Sequence, residues 1–285
     1  MLTILLDGHG ELAEWRDAAR ALLLAAIPPE KVEWQGGDAA AGDLFNGQMT
    51  SPSPLPPPHP QAAAPTVPRA FLDLADTVIC HSDPGRFALL YRLLWRLQGE
   101  RALLEMKADA DVAQADRLEK SVRRDAHKMK AFVRFKELPD SAGQPRRRFL
   151  AWFEPDHFIV GRTAGFFQRR FTDMDWVIAT PKGTSSWDGQ QLRVDLTPAS
   201  KPDLTDAADD LWRTYFAHIF NPARLKVKAM QSEMPKKYWK NLPEADLIPD
   251  LIAGAEARVR EMAERAATEP PAFHHRLHGR RKDGP

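Results

Sequence analysis

Between Trp212 and Glu244 aromatic and cationic residues are interleaved in one stretch, WRTYFAHIFNPARLKVKAMQSEMPKKYWKNLPE. Trp212, Tyr215, Phe216, Phe220, Tyr238 and Trp239 stand among Arg213, Arg224, Lys226, Lys228, Lys236, Lys237 and Lys240, opposed only by Glu233 and Glu244. Cations follow a phosphate backbone and flat rings stack on unpaired bases, so this is the composition a nucleic-acid groove needs. The same residues also suit a helical pair whose rings are core and whose lysines are solvated surface. Composition leaves both open.

A second basic block, KSVRRDAHKMKAFVRFK, is followed by Arg146, Arg147 and Arg148. On a helix Lys120, Arg124 and His127 recur on one side with Arg123 and Lys130 adjacent, which makes a cationic stripe. Solvated helix faces normally alternate their charges. Here only Asp125 interrupts the run, and that favours an anion-binding surface.

Other chemistries find less support. His274, His275 and His278 have ligand-like spacing, but they stand in a basic tail without thiolates. His127 and His157 have no carboxylate or second histidine at metal spacing, and the zinc deaminase and H-E-x-x-H patterns are absent. No metal site and no cofactor are expected. Cys80-His81 invites a nucleophile reading; adjacent side chains diverge and Cys80 ends an apolar run, so a buried thiol is favoured. Gly161-Arg162-Thr163-Ala164-Gly165 lacks the ending of a phosphate loop. A desolvated lysine among Lys128, Lys130, Lys226, Lys228, Lys236 and Lys237 could form an imine, and Glu233 is the carboxylate alternative. The Asp188 carboxylate belongs to a turn.

These residues need a frame. The chain has 285 residues, enough for one large core or two modest ones, with a formal net charge of only +1. Attraction to a polyanion must therefore come from segregated charge, and the first seventy residues lean acidic while 120–170 lean basic. Cys80 is the single cysteine, which fits a reducing compartment. MLTILLDGHG has no basic n-region and too short an apolar run for a signal peptide, so a cytoplasmic location without membrane contact is expected.

MLTILL predicts a buried strand, and 11–26 a helix stopped by Pro28-Pro29. SPSPLPPPHP and QAAAPTVP make 36–68 an exposed, partly extended linker. FLDLADTVIC predicts a helix, His81-Ser82-Asp83-Pro84 the start of the next, and 111–130 a third with a basic outer face. AFVRFKEL and RRFLAWFEP flank a turn and predict a β-hairpin. The pattern continues with a helix over 157–171, a strand WVIAT, a tight turn at Asp188-Gly189 and helices over 203–268.

CHSDPGRFALLYRLLWRL, VRRDAHKMKAFVRF, FLAWFEPDHFIV, FFQRRF, WVIATP and DLWRTYFAHIFNPARLKVKAMQSEMPKKYWKNLPEA resemble the DUF4130 family across about 2–258. The resemblance implies a place in DNA metabolism. Members occur beside a radical-SAM protein associated with DNA modification or repair. In some, the domain precedes a UdgX-type uracil-DNA glycosylase, and FHHRLHGRRKDGP resembles the start of the linker to one. It carries over no catalytic residues.

The expected fold is α+β, a mixed sheet with the hairpin covered by helices and a helical C-terminal region. The expected organisation is a strand-helix segment over 1–35, the linker over 36–68, the main domain over 69–268 and a basic tail over 269–285. The expected function is a DNA-binding accessory of base repair with single-stranded or lesion-containing DNA as ligand, acting with a UdgX-type glycosylase or a radical-SAM protein. Arg123, Arg124, Lys128, Arg224, Lys226, Lys236 and Lys237 would contact phosphates, and Tyr238 and Trp239 would stack on a base or wedge into a lesion. The alternatives are a metal-independent enzyme on damaged DNA and a protein-interaction scaffold.

Overall fold

The computed structural model describes residues 1–6, 8–36, 53–60, 65–138, 146–201, 234–242 and 245–254. The chain forms two compact units, Met1–Asp206 and Ala207–Pro285. The class is α+β, with a mixed five-stranded sheet and a separate two-stranded one.

The first unit opens as strand, helix, strand. β1 (Leu2–Leu6) and β2 (Val32–Gly36) pair in parallel, joined by α1 (Leu12–Leu24). The inner face of α1 carries Trp15, Ala18, Ala19 and Leu22 at helical spacing, and all four are buried. They need an apolar partner, which is supplied by α2 (Arg69–Val78) and α3 (Arg86–Arg96). The Trp15 indole N–H donates to the Phe87 carbonyl at 3.2 Å. Trp34 packs against Phe87 and Tyr91. The Tyr91 hydroxyl donates to the Ile27 carbonyl at 2.6 Å.

The opening strand and helix are therefore built into the first unit rather than appended to it, because their apolar face is buried on α2 and α3. The proline-rich stretch is strapped down where it is described. Ser53 N–H donates to the Thr3 carbonyl and His59 N–H to that of Leu24, both at 2.9 Å. Proline forbids a full ladder there, but the few N–H groups present still find β1 and α1.

α4 (Ala110–Phe132) runs for 23 residues beneath α2 and α3. The Asp109 carboxylate caps it, accepting from the N–H groups of Asp111 and Val112 at 3.0 and 3.1 Å. The expected hairpin is reduced to β3 (Lys136–Glu137) against β4 (Arg148–Trp152), since Ala131 and Phe132 complete α4 instead. β4 crosses through α5 (Val160–Arg170) to the parallel β5 (Asp175–Thr180). Then β6 (Gly183–Trp187) and β7 (Leu192–Asp195) follow antiparallel, giving the order β3-β4-β5-β6-β7. Trp176 and Phe167 lock α5 to the sheet through an edge-on ring contact at 6.2 Å.

In the second unit the described elements are a 3-10 helix over Lys236–Asn241, a shorter one over Ala245–Leu247 and α6 (Ile248–Ala253). Most of the helices expected over 203–268 lie outside the described residues. No helix among the described residues is long and apolar enough to cross a membrane.

Candidate nucleic-acid interface

α4 divides along its length by charge. Its N-terminal end is held by ion pairs. Arg96 meets Asp109 at 2.7 Å and Arg92 meets Asp111 at 2.8 Å. The Arg96 guanidinium holds the half-buried Asp109 carboxyl down to about 2, with help from the capped N–H groups. Its inner face is apolar through Val112, Ala115, Leu118, Val122, Ala126 and Met129.

The outer face changes character past Asp116. Arg117, Lys120, Arg123, Arg124, His127 and Lys130 are all exposed. Arg123 pairs with Glu119 at 2.7 Å, a surface bridge four residues apart. Arg117, Lys120, Arg124, His127 and Lys130 have no carboxylate partner among the described residues. Lys130 lies instead over the Phe166 ring of α5, at 5.1 Å from the centroid. Positive charge in the last turn of a helix is favoured by the backbone dipole, which accounts for Lys130 but not for the residues about one to four turns earlier.

Lys128 does not belong to that face. It is 4 % exposed, and its ammonium lies 5.8 Å from the Phe132 centroid. Arg124, one turn earlier, lies only about 40° away around the helix and is exposed, so Lys128 marks the edge where the cationic face meets the core. Its place among the phosphate contacts is withdrawn for that reason. Its burial also closes it to a carbonyl substrate in this arrangement.

In the second unit Lys236 and Lys237 are exposed and face their neighbouring rings, Lys236 over Trp239 at 5.9 Å and Lys237 over Tyr238 at 4.6 Å. The two rings part company. Tyr238 is 3 % exposed, whereas Trp239 is half-buried with its indole N–H donating to the Met234 carbonyl at 3.0 Å. Pro235 sets the start of the 3-10 helix, so consecutive side chains project in different directions. Tyr238 is thus removed from the stacking pair, because no ring face is open to a base. Arg224, Lys226, Glu233 and the histidines of the tail lie outside the described residues.

Sequence reasoning missed one polar cluster in the first unit. His157 is buried between the α2–α3 turn and α4. Its Nδ1 accepts from Ser82 N–H at 3.2 Å and lies 3.1 Å from the Ser82 hydroxyl. A backbone N–H can only donate, so the ring proton sits on Nε2 and points to the Ser121 hydroxyl at 2.8 Å. The His157 backbone N–H is taken by the buried Asp125 carboxylate at 2.9 Å. His81 stacks on the same ring, and its own Nδ1 accepts from Asp83 N–H at 2.9 Å. Burial, and then Arg86 nearby, push the His81 pKa down against the pull of Asp83. The only signal was the pair of short motifs HSD and PDH, which nothing in the one-dimensional pattern joins.

Cys80 diverges from His81 as expected. Its thiol points to the carbonyls of Gly10 and Asp76 at 3.7 and 3.6 Å, and burial pushes its pKa up to about 11. A thiol that stays protonated at neutral pH is not a nucleophile.

Residues 84–244, more than half of the chain, match the family model described as a domain of unknown function, DUF4130. The chain belongs to the DUF4130 family. The matched segment is shorter than the resemblance over 2–258, leaving β1, α1, β2 and α2 outside it. It contains all of α4 and the 3-10 helix with Tyr238 and Trp239. No curated protein and no solved structure matches this DUF4130 chain.

Proposed function

We propose that this DUF4130 protein is a DNA-binding accessory of base repair, favouring single-stranded or lesion-containing DNA. The observation that carries this is the outer face of α4, where Arg117, Lys120, Arg124, His127 and Lys130 stand exposed with no carboxylate partner among the described residues. Lys120 and Arg124 are four residues apart, and like charges so placed cost a helix about 0.2–0.5 kcal/mol. A polyanion relieves that repulsion and gains counterion release. Trp239, half-buried beside Lys236, offers a ring for stacking in the second unit. The partner we propose, a UdgX-type uracil-DNA glycosylase or a radical-SAM protein, rests on the family resemblance.

The test is binding to single-stranded, duplex, uracil-containing and abasic oligonucleotides at two salt concentrations. Neutralising about five phosphates of a single strand gives a slope of log K against log salt of roughly −3.5. A Lys120→Gln/Arg124→Gln variant should flatten the slope by about 1.4. Affinity that does not change with salt overturns the proposal.

A further inference from the structure

Beside the cationic face of α4 the first unit opens into a cleft of about 650 Å³, within the roughly 300–1,000 Å³ of small-ligand sites. Its walls come from the β1–α1 turn, the ends of α2 and β7, the last turns of α4 and the start of α5. Lys130 belongs to both the cleft and the exposed face.

The wall formed by the β1–α1 turn is held from several sides. The buried Arg86 guanidinium donates to the Gly8 carbonyl at 2.7 Å, and the Cys80 thiol points to that of Gly10 at 3.7 Å. Phe158 N–H donates to the Cys80 carbonyl at 2.8 Å. Gly10 has φ +89°, and a Cβ there would lie 3.0 Å from both the Cβ and the carbonyl of Phe158. Between Gly8 and Gly10, His9 presents an imidazole that touches Phe158 edge-on at 5.9 Å and makes no hydrogen bond among the described residues. A rigid mount for a half-exposed ring lowers the ordering cost of binding.

The charges of the cleft are also sorted. Arg162 is committed to Asp76 and to the Thr77 hydroxyl, the latter at 2.9 Å. Lys130 has no carboxylate partner among the described residues, and Glu11 is exposed. One cation without a carboxylate partner among the described residues, beside a flat heteroaromatic ring, suits a singly charged phosphodiester carrying a base better than a doubly charged terminal phosphate.

We infer that this cleft receives one unstacked nucleotide of a bound single strand, with the base against His9 and its phosphodiester at Lys130. This rests on the DNA-binding reading for its ligand, and it adds a site that the cationic face does not require. A base already single-stranded costs least to place there, so the cleft favours single strands over duplex.

Two probes test it, a short oligonucleotide with one 2-aminopurine and the dinucleotide dTpdT. Val194, 42 % exposed at the cleft, can be enlarged by Val194→Trp to fill the space from the rim, and His9→Ala removes the ring. Wild type should brighten 2-aminopurine on binding and should bind dTpdT more tightly than thymidine 5′-monophosphate. Both variants should lose about 5- to 150-fold in single-strand affinity and lose the fluorescence change, with melting temperature and salt slope kept. A strand bound with normal salt slope and unaltered by either variant overturns the cleft while the cationic face stands. Binding of dTpdT that Val194→Trp abolishes, without salt-dependent strand binding, upholds the cleft and overturns the cationic face. Failure of wild type to bind either probe overturns the inference.

Discussion

The imidazoles of His81 and His157 lie 4.1 Å apart between centroids, tilted by 33°, at the turn joining α2 to α3. Each Nδ1 accepts a backbone N–H, from Asp83 and Ser82 respectively, so each ring is held in one tautomer. The pair fastens the start of α3 to the β4–α5 loop and, through Ser121, to α4. Protonating His81 would break its acceptor bond and set a cation beside Arg86.

That gives the first prediction. The folded pKa of His81 lies below its ordinary 6.5, because burial disfavours the cation. The unfolded chain then binds more protons just below pH 6.5, so stability is full above that value and falls as pH drops toward the folded pKa. Thermal melts of wild type and His81→Gln from pH 7.5 to 5 should diverge, with wild type losing more on acidification. Parallel curves would assign the pH dependence to other groups.

Cys80 yields a prediction of opposite sign. Its pKa is raised to about 11 by burial, so the protonated thiol is part of the folded state. Stability should be unaffected by this group below about pH 9 and should decline as the pH rises through the folded value. A thiol reagent at pH 8 should label the native protein far more slowly than the urea-unfolded chain. Equal rates would show that the thiol is open to solvent.

How much of this was legible beforehand depends on the range of the interactions. α1, α3 and α4 follow from apolar spacing, and the Asp188-Gly189 turn from its residue types, because these are local. β2 was not legible. VEWQG is short, and it becomes a strand through parallel pairing with β1 and through Trp34 packing on Tyr91. The His157 cluster spans 75 residues between Ser82 and His157, a separation only the tertiary fold closes. Within the basic block the sequence shows the stripe of charge but not its edge: Arg124 and Lys128 stand one turn apart, and only the packing around α4 leaves the first exposed and buries the second.

That edge supplies a third prediction. Lys128→Ala leaves the groups packed around a buried ammonium unsatisfied and should cost about 1–3 kcal/mol of stability. Arg124→Gln lies on the surface and should stay within about 0.5 kcal/mol of wild type. Oligonucleotide binding should invert the order, with Arg124→Gln reducing affinity and salt slope while Lys128→Ala alters neither below its melting temperature. Denaturant melts beside binding titrations decide between the two arrangements.

The last prediction separates the two rings of the second unit. Tyr238 is almost wholly buried, so Tyr238→Ala removes packing and should cost roughly 3–5 kcal/mol in the transition of that unit. Any loss of binding would then follow its unfolding. Trp239 is half-buried, anchored by one N–H bond to Met234, with the Lys236 ammonium 5.9 Å from its ring. Stacking of that ring on an unpaired base is worth about 1–3 kcal/mol, so Trp239→Ala should lose that much single-strand affinity with a small change in melting. Trp239→Phe keeps a stacking ring but not the N–H bond, and should recover most of the binding. If Trp239→Ala melts as low as Tyr238→Ala, both rings are core and the aromatic part of the interface falls, leaving the cations of α4 to bind alone.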